Sequence, residues 1–481
     1  MTDQLRYDAL FIGGRWIAPH STERIAIASP STGLPVGSVP AGDSVDIDTA
    51  VAAARRAFGE PGGWSSWPAA DRADAMERLA DALDARGLEF ARRVSIQNGM
   101  PITTSEKFEA TAGGIMLRYY ATLARDLQFE RVRPSAAGSE SLVRRSPIGV
   151  VAAIIPWNFP QSLTFMKLGP ILATGCTVVL KPAPETVLDA QLLGEAIAEA
   201  GIPAGVINIV PADREASAHL VQHPDVDKVA FTGSTATGRW IAEACGRMLR
   251  PVTLELGGKS AAIVLDDARL DDRLDAIFAT TLLNNGQTCH LSTRILAPRT
   301  RYDEIVGILG DYVESLPIGD ALDPATRIGP LTSSRQRDKV EGLIATGVAE
   351  GARIAYGGKR PKGADTGWFI EPTILADVDN RSTIAREEVF GPVLTVIPYD
   401  DVDHAVQLAN DSPYGLGGSV WTEDDARGLA VARRIRTGAV GLNGFAMDFY
   451  SPFGGVKASG LGREMGPEGL DAYLQYQSIY L

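Results

Sequence analysis

The chain has 481 residues, of which 45% are hydrophobic, 22% charged and 7% aromatic, a globular composition with apolar material for two to four domains. A net charge of −13 argues against a nucleic-acid-binding protein, and Arg433, Arg434 and Arg436 are expected to form one solvated helix face rather than a basic patch. Three cysteines cannot build a disulfide framework, so a reducing, cytoplasmic setting is expected, and five scattered histidines without CxxC or HExxH argue against a metal site.

In chain order, residues 1–14 carry neither a basic start nor a sustained apolar stretch and do not read as a signal peptide. Residues 10–17, LFI-GG-RWI, read as a hairpin turned by Gly13 and Gly14. From 48 to about 98 the period is helical, with Met76, Leu79 and Leu83 on one apolar face. Residues 119–144 are mixed, charged and turn-rich, and read as an arm or linker. Residues 150–155, 177–181, 206–210, 228–232, 252–256 and 261–265 are short, apolar, β-branched runs, and helical stretches at 189–199 and 239–247 separate some of them. Such alternation implies parallel βαβ units, a nucleotide-binding type of sheet whose ligand belongs at the carboxyl ends of the strands. The apolar run 150–157 is too short to span a bilayer. A second α/β stretch covers 270–436, with a long helix at 335–350 and Gly/Pro-rich turns at 357–367. The tail, YLQYQSIYL, reads as an exposed strand in need of a partner, which a second subunit could supply.

Several residues stand out chemically. In KVAFTGSTATG, Gly233 follows a strand and Gly238 stands where a helix begins, so backbone N–H groups could meet a phosphate; the spacing is not GxGxxG, and an ordinary strand-to-helix turn reads the same. Lys181 ends the strand TVVLK, where it could bond a ribose or phosphate or simply be solvated. Cys289, in NNGQTCHLSTR, lies on an irregular polar segment, unlike Cys176 and Cys245, which read as small buried hydrophobes. A thiolate there would be a strong nucleophile. The adjacent His290 would normally point elsewhere. Glu255, in VTLELGGKS, is the lone acid at an apolar strand end, suited to act as a base for water or to pair with Lys259. Asn158, set between Pro156-Trp157 and Phe159-Pro160, is either a turn asparagine or a fixed donor to an oxyanion.

Together these segments resemble the aldehyde dehydrogenase superfamily over nearly the whole chain. The motifs are PWNFP at 156–160, KPAPET at 181–186, FTGSTATG at 231–238, LELGGKS at 254–260, NNGQTC at 284–289, EEVFGP at 387–392, SPYGL at 412–416 and SPFGGVKASGLGRE at 451–464. The separation of 34 positions from Glu255 to Cys289 is also the family's spacing. The resemblance implies an α/β protein with a Rossmann-like parallel-sheet cofactor domain (1–122 and 145–256) and a second α/β catalytic domain (257–465). It further implies a small β bridging or oligomerisation element (123–144 and 466–481) and a homodimer or homotetramer. By the same resemblance Cys289 is the nucleophile, Asn158 and the Cys289 backbone N–H form the oxyanion hole, Glu255 is the base, and Lys167 in FMKLGP helps relay protons. Cofactor contacts fall to Ile154, Pro156, Trp157, Lys181, Gly233, Ser234, Gly238, Leu256, Glu388 and Phe390, with Lys181 and Glu388 on the two riboses, Ser234 on the pyrophosphate and Phe390 near the nicotinamide. Phe159, Leu163, Met166, Leu283, His290 and Phe453 would line a mostly apolar substrate pocket favouring medium aliphatic or aromatic aldehydes, with Arg294 the one candidate clamp for a substrate carboxylate.

The implied activity is oxidation of an aldehyde to its acid with NAD(P), through a cysteine thiohemiacetal, hydride transfer and hydrolysis of a thioester. Coenzyme-A-acylating relatives typically lack the base glutamate, and silent relatives lose the cysteine, glutamate or asparagine; all three are present here. A thiol esterase is the remaining alternative. Members with strong NAD preference carry a glutamate three residues after the Lys181 equivalent, where this chain has Pro184, with Glu185 one place on. NAD is expected and NADP is possible, because KPAPET offers no cation beyond Lys181 for a 2′-phosphate. The partners expected are a small aldehyde and other copies of the chain, with no nucleic acid and no membrane.

Overall fold

Strands that are apolar along their whole length are stable only when both faces are covered. The computed structural model, which describes residues 4–136, 138–364 and 366–481, meets this condition twice. The first sheet runs in the order Gly460–Leu461, Val252–Glu255, Lys228–Thr232, Val150–Ile154, Thr177–Lys181, Ile207–Ile209, Leu10–Ile12, Arg15–Ile17. Its five central strands are parallel and the outer three antiparallel. Every residue of Val150–Ile154, Thr177–Lys181 and Lys228–Thr232 is buried. From Val150–Ile154 the chain winds outward through Thr177–Lys181 to Ile207–Ile209, then returns to lay Lys228–Thr232 on the other flank of Val150–Ile154. The order reverses there, and the two strands open a crevice at their carboxyl ends.

The second sheet, Arg353–Tyr356, Thr373–Ala376, Val393–Tyr399, Arg294–Pro298, Ala261–Val264, Gly418–Trp421, Gly441–Leu442, is parallel except at its Arg353–Tyr356 edge. The expected hairpin forms, with Gly13 and Gly14 at φ 63° and 72°. The helical stretch resolves into Ser44–Gly59, Ala69–Asp84 and Gly87–Asn98, with Met76, Leu79 and Leu83 fully in the core. Among the described residues no helix is long and apolar enough to cross a membrane.

Three expectations need revision. Residues 119–126 are the end of a helix, Ala112–Asp126, rather than a linker, because its inner face (Met116, Leu117, Tyr120) packs into the core. The boundaries set at 122 and 144 therefore cut a helix and the strand Glu140–Pro147, and Gly460–Leu461, assigned to the second body, pairs with Val252–Glu255 in the first. Arg433, Arg434 and Arg436 are exposed but follow the helix Asp425–Ala432, where the chain turns to bury Ile435. The tail strand Leu474–Tyr480 finds its partner in the same chain, Glu140–Pro147, which pairs on its other side with Glu130–Pro134. Its outer edge has no partner among the described residues, and Tyr476 and Tyr480 stand exposed on it.

One close approach fixes the helix that follows the first crevice strand. Gly169, in Pro160–Thr174, lies beneath Tyr120, and a Cβ there would come within 2.3 Å of the Tyr120 ring. The Tyr120 hydroxyl donates to the Gly466 carbonyl (3.2 Å), so the ring cannot move aside freely. Gly169→Ala is therefore expected to cost about 1–3 kcal/mol although alanine favours helix; a lowered urea midpoint is the measurement.

Candidate active site

The loop between Val150–Ile154 and Pro160–Thr174 carries Asn158, which is 4% exposed. Its frame is held from outside: Asn98 Nδ2 donates to the Trp157 carbonyl, and Asn284 Nδ2 donates to the Asn158 carbonyl (2.8 Å). The Asn158 amide donates one N–H to the Gln287 carbonyl at 3.0 Å, which leaves its second N–H free to serve an oxyanion. Gln287 belongs to the loop that delivers Cys289. That loop turns through three successive positive φ values, 50° at Asn284, 59° at Asn285 and 75° at Gly286. Asn285 stabilises the turn by donating to the Gly99 and Pro330 carbonyls (2.8 and 2.9 Å) and accepting from Gly329 N–H (2.7 Å). At Gly286 a Cβ would meet the Gly391 carbonyl at 2.1 Å. Such concentrated strain marks a loop shaped for position.

Cys289 is half-buried, whereas Cys176 and Cys245 are fully buried. Burial, with the carboxylates of Glu388 and Glu255 nearby, pushes its thiol up to about 12. His290 does not pair with the thiol. It stacks on Phe445 (4.5 Å, 18°) and meets Phe453 edge-on, and burial pushes it down to about 4, so it is a neutral wall.

Glu255 ends its strand 3% exposed, and no hydrogen bond of ordinary geometry reaches either carboxylate oxygen. Burial and the neighbouring Glu464 push it well above the usual carboxylate range. The pairing with Lys259 does not occur, and the Lys259 amine is itself buried without a hydrogen bond. Behind Glu255, fully buried Lys167 donates to Thr232 Oγ1 (2.6 Å) and Glu464 Oε1 (2.7 Å), while Glu464 Oε2 is unbonded. Glu464 is a site residue that the sequence reading missed, as its motif SPFGGVKASGLGRE gave no sign that its final acid folds back beneath Glu255.

A cleft of about 1020 Å³ opens at the carboxyl edge of the first sheet, with Ile154, Lys181, Glu185, Phe231, Trp240 and Arg335 among its walls. It has the features of a dinucleotide site. The helix Thr235–Arg247 points its N-terminus there, capped by Ser234, and Gly238 seats it against Leu256, where a Cβ would come within 2.4 Å. Gly233 N–H is bonded back to the Glu255 carbonyl (3.0 Å), which ties the turn after Lys228–Thr232 to the end of Val252–Glu255. Burial pushes Lys181 down to about 8. Pro184 also lines the cleft, and cations reach it from outside KPAPET: Arg214 and Arg335, the latter 3.8 Å from Glu185. Trp157 and Phe390 meet edge-on at 5.2 Å, with Pro156 immediately before the tryptophan. Glu388 Oε1 accepts Gly258 N–H (2.9 Å). Phe390 takes φ 58°, fixed by Gln336 Nε2 donating to its carbonyl (2.7 Å), and Lys339 Nζ donates to the Glu388 carbonyl (2.9 Å). Gln336 and Lys339 were not singled out from the sequence; their only signal is a polar pair three apart on one face of the helix Ser334–Ala349.

Phe159, Leu163, Met166 and Phe453 share one buried cluster, against which Leu283 and Cys289 pack. Phe108, Phe445, Met447 and Phe449 join it and were not anticipated, although the aromatic run GFAMDFY on an irregular segment was legible. Arg294 is no clamp: its guanidinium is consumed by Asn380 Oδ1 (2.8 Å) and the carbonyls of Lys259, Leu408 and Ala409 (2.9–3.0 Å). Among the described residues Asp48, His219 and His223 bring three potential metal ligands together. Asp225 N–H donates to His223 Nδ1 (3.1 Å), however, which puts the ring proton on Nε2, facing Asp48 (3.3 Å). That is the geometry of a hydrogen-bonded surface cluster.

The sequence model of the aldehyde dehydrogenase family matches residues 16–479. A geranial dehydrogenase of Castellaniella defragrans is 55% identical over 472 residues, 98% of each chain. The crystal structure of a Mycobacterium tuberculosis aldehyde dehydrogenase complexed with NAD+ superposes with a TM-score of 0.97 at 47% identity, covering 100% of this chain and 99% of that one. A variant of aldehyde dehydrogenase C from Pseudomonas syringae, complexed with NAD+ and octanal, superposes with a TM-score of 0.94 at 37% identity, covering 98% and 96%. On a match this long and this even, the chain belongs to the aldehyde dehydrogenase family.

Proposed function

We propose that this protein oxidises apolar aldehydes of medium size to carboxylic acids with NAD, using Cys289, Asn158 and Glu255. The observation that carries the reading is a half-buried thiol on a strained loop, bordered by an amide with one free N–H and by a buried carboxylate without a hydrogen bond. Cys289 Sγ passes its proton to the neighbouring Glu255 carboxylate and attacks the carbonyl carbon; a C–S bond forms, the C=O π pair moves onto oxygen as an oxyanion, and Glu255 sheds the proton toward Glu464 before its second use. Asn158 Nδ2 and the Cys289 backbone N–H are the donors for it. When bound, the cofactor supplies the acceptor for the hydride that this carbon must lose. Glu255, whose pKa burial raises and so makes it a stronger base than an ordinary carboxylate, then takes a proton from the water that cleaves the thioester. Lys167 and Glu464 behind it offer that proton a buried onward path.

In the cleft, Lys181 and Glu185 would hold the adenosine ribose, the Ser234 turn the pyrophosphate, Glu388 the second ribose, and Trp157 and Phe390 the nicotinamide end. Glu185 disfavours a 2′-phosphate, while Arg335 and Arg214 soften that rejection, so NADP use as a minor activity fits. The aromatic walls, the engaged Arg294 and the relatives named for geranial or bound to octanal all support uncharged aliphatic or terpenoid substrates. The presence of Glu255 favours water over a thiol as acyl acceptor. A cytoplasmic homo-oligomer, joined along the free edge of Leu474–Tyr480, completes the proposal.

Glu255→Gln is expected to keep a single-turnover burst of NADH while steady turnover falls by about 10²-fold or more; stopped-flow absorbance separates the two phases. Cys289→Ser should lose the burst itself, by on the order of 10³-fold, because a serine alkoxide is far harder to form at neutral pH. Glu185→Gln should raise the NADP-to-NAD ratio of kcat/KM by about tenfold, read from initial rates with each cofactor at one aldehyde concentration.

A further inference from the structure

Helix Pro160–Thr174 starts without a cap of its own: Phe159 has no polar side chain and Pro160 has no N–H. Both following amides are taken by Glu109, which reaches them from the C-terminal end of the helix Ile102–Phe108 and is 2% exposed. Gln161 N–H donates to Glu109 Oε2 (2.8 Å), Ser162 N–H to Oε1 (3.3 Å), and the Ser162 hydroxyl adds a third bond (2.5 Å). The Gln161 side chain is held in turn by Asp189, which also accepts from Gln97. Gln97 adjoins Asn98, whose amide holds the Trp157 and Asn158 carbonyls. One buried network thus grips the chain on both sides of the Asn158 amide.

We infer that Glu109 is a positioning residue for the oxyanion step, its carboxylate anchoring the first turn of the helix so that the Asn158 amide keeps its direction. The inference rests on the role proposed above for Asn158. A protonated carboxyl would offer an O–H to the same donors and lose at least one of them. The charged groups around Glu109 are Asp189, across Gln161, and Arg93, which faces Asp189; burial pushes Glu109 up to about 7 and Asp189 up to about 6, against the pull of their hydrogen-bond donors. The anchor should therefore weaken as pH falls through neutrality.

The test is the rate of the NADH burst in the full-length enzyme, for the parent, Glu109→Gln, Asn158→Ala and the double variant. Glu109→Gln is expected to slow the burst about tenfold or more, to leave the KM for NAD within about twofold, and to cost little further in the Asn158→Ala background. The parent's burst rate should show an inflection near pH 7 that Glu109→Gln lacks and Glu109→Asp retains. A burst within twofold of the parent for Glu109→Gln, an equal loss in both backgrounds, or an inflection unchanged in that variant would each overturn the inference. Should Glu109→Gln fail to fold, Glu109→Asp, whose shorter carboxylate cannot span both amides, carries the cycle on the burst rate and its non-additivity with Asn158→Ala. An Asn158→Ala burst equal to the parent's would instead refute the oxyanion assignment, a distinct outcome.

Discussion

A carboxylate buried with no hydrogen bond is among the least comfortable groups a protein can hold. Glu255 is such a group, at the end of an otherwise apolar strand. The arrangement around it answers to that charge. Lys167 and Glu464 are drawn into the same interior as an ion pair, Gly454 leaves the carboxylate room, and the thiol of Cys289 feels it from the other side. Replacing Glu255 with an apolar residue would relieve that cost to the fold, and the base role proposed for it needs such a carboxylate in a dry place.

The crevice exists because the strand order reverses beside Val150–Ile154. One flank of the reversal delivers Asn158 and the other delivers the Gly233–Ser234 turn, so the residues proposed for the oxyanion and for the pyrophosphate arise from neighbouring strand ends. The second sheet contributes the thiol: the Cys289 loop feeds Arg294–Pro298, and the loop ahead of Val393–Tyr399 brings Glu388 and Phe390. Chemistry therefore sits where two sheets face each other, and each supplies groups that the other lacks.

The thiol and the base are both held away from their reactive protonation states by burial, the thiol upward and the carboxyl upward as well. In such a site a proton leaving one group has the other as a neighbour. His290, a histidine beside a cysteine, takes no part in that traffic because its ring is stacked away against Phe445.

The amino-acid sequence by itself determined the βαβ rhythm and the hairpin at Gly13-Gly14, and it singled out Cys289, Glu255 and Asn158 as candidates, because local periodicity and short motifs are written in contiguous residues. It could not reveal Glu109, Glu464, Gln336 or Lys339, whose partners lie 49 or more residues away. Nor could it tell that Arg294 is spent on carbonyls, that Arg335 reaches the cleft, or that the tail strand pairs with its own chain. Those outcomes depend on which side chains the packing brings together and which it buries. Hydrogen bonding and desolvation act through space rather than along the chain, so only the tertiary structure decided them.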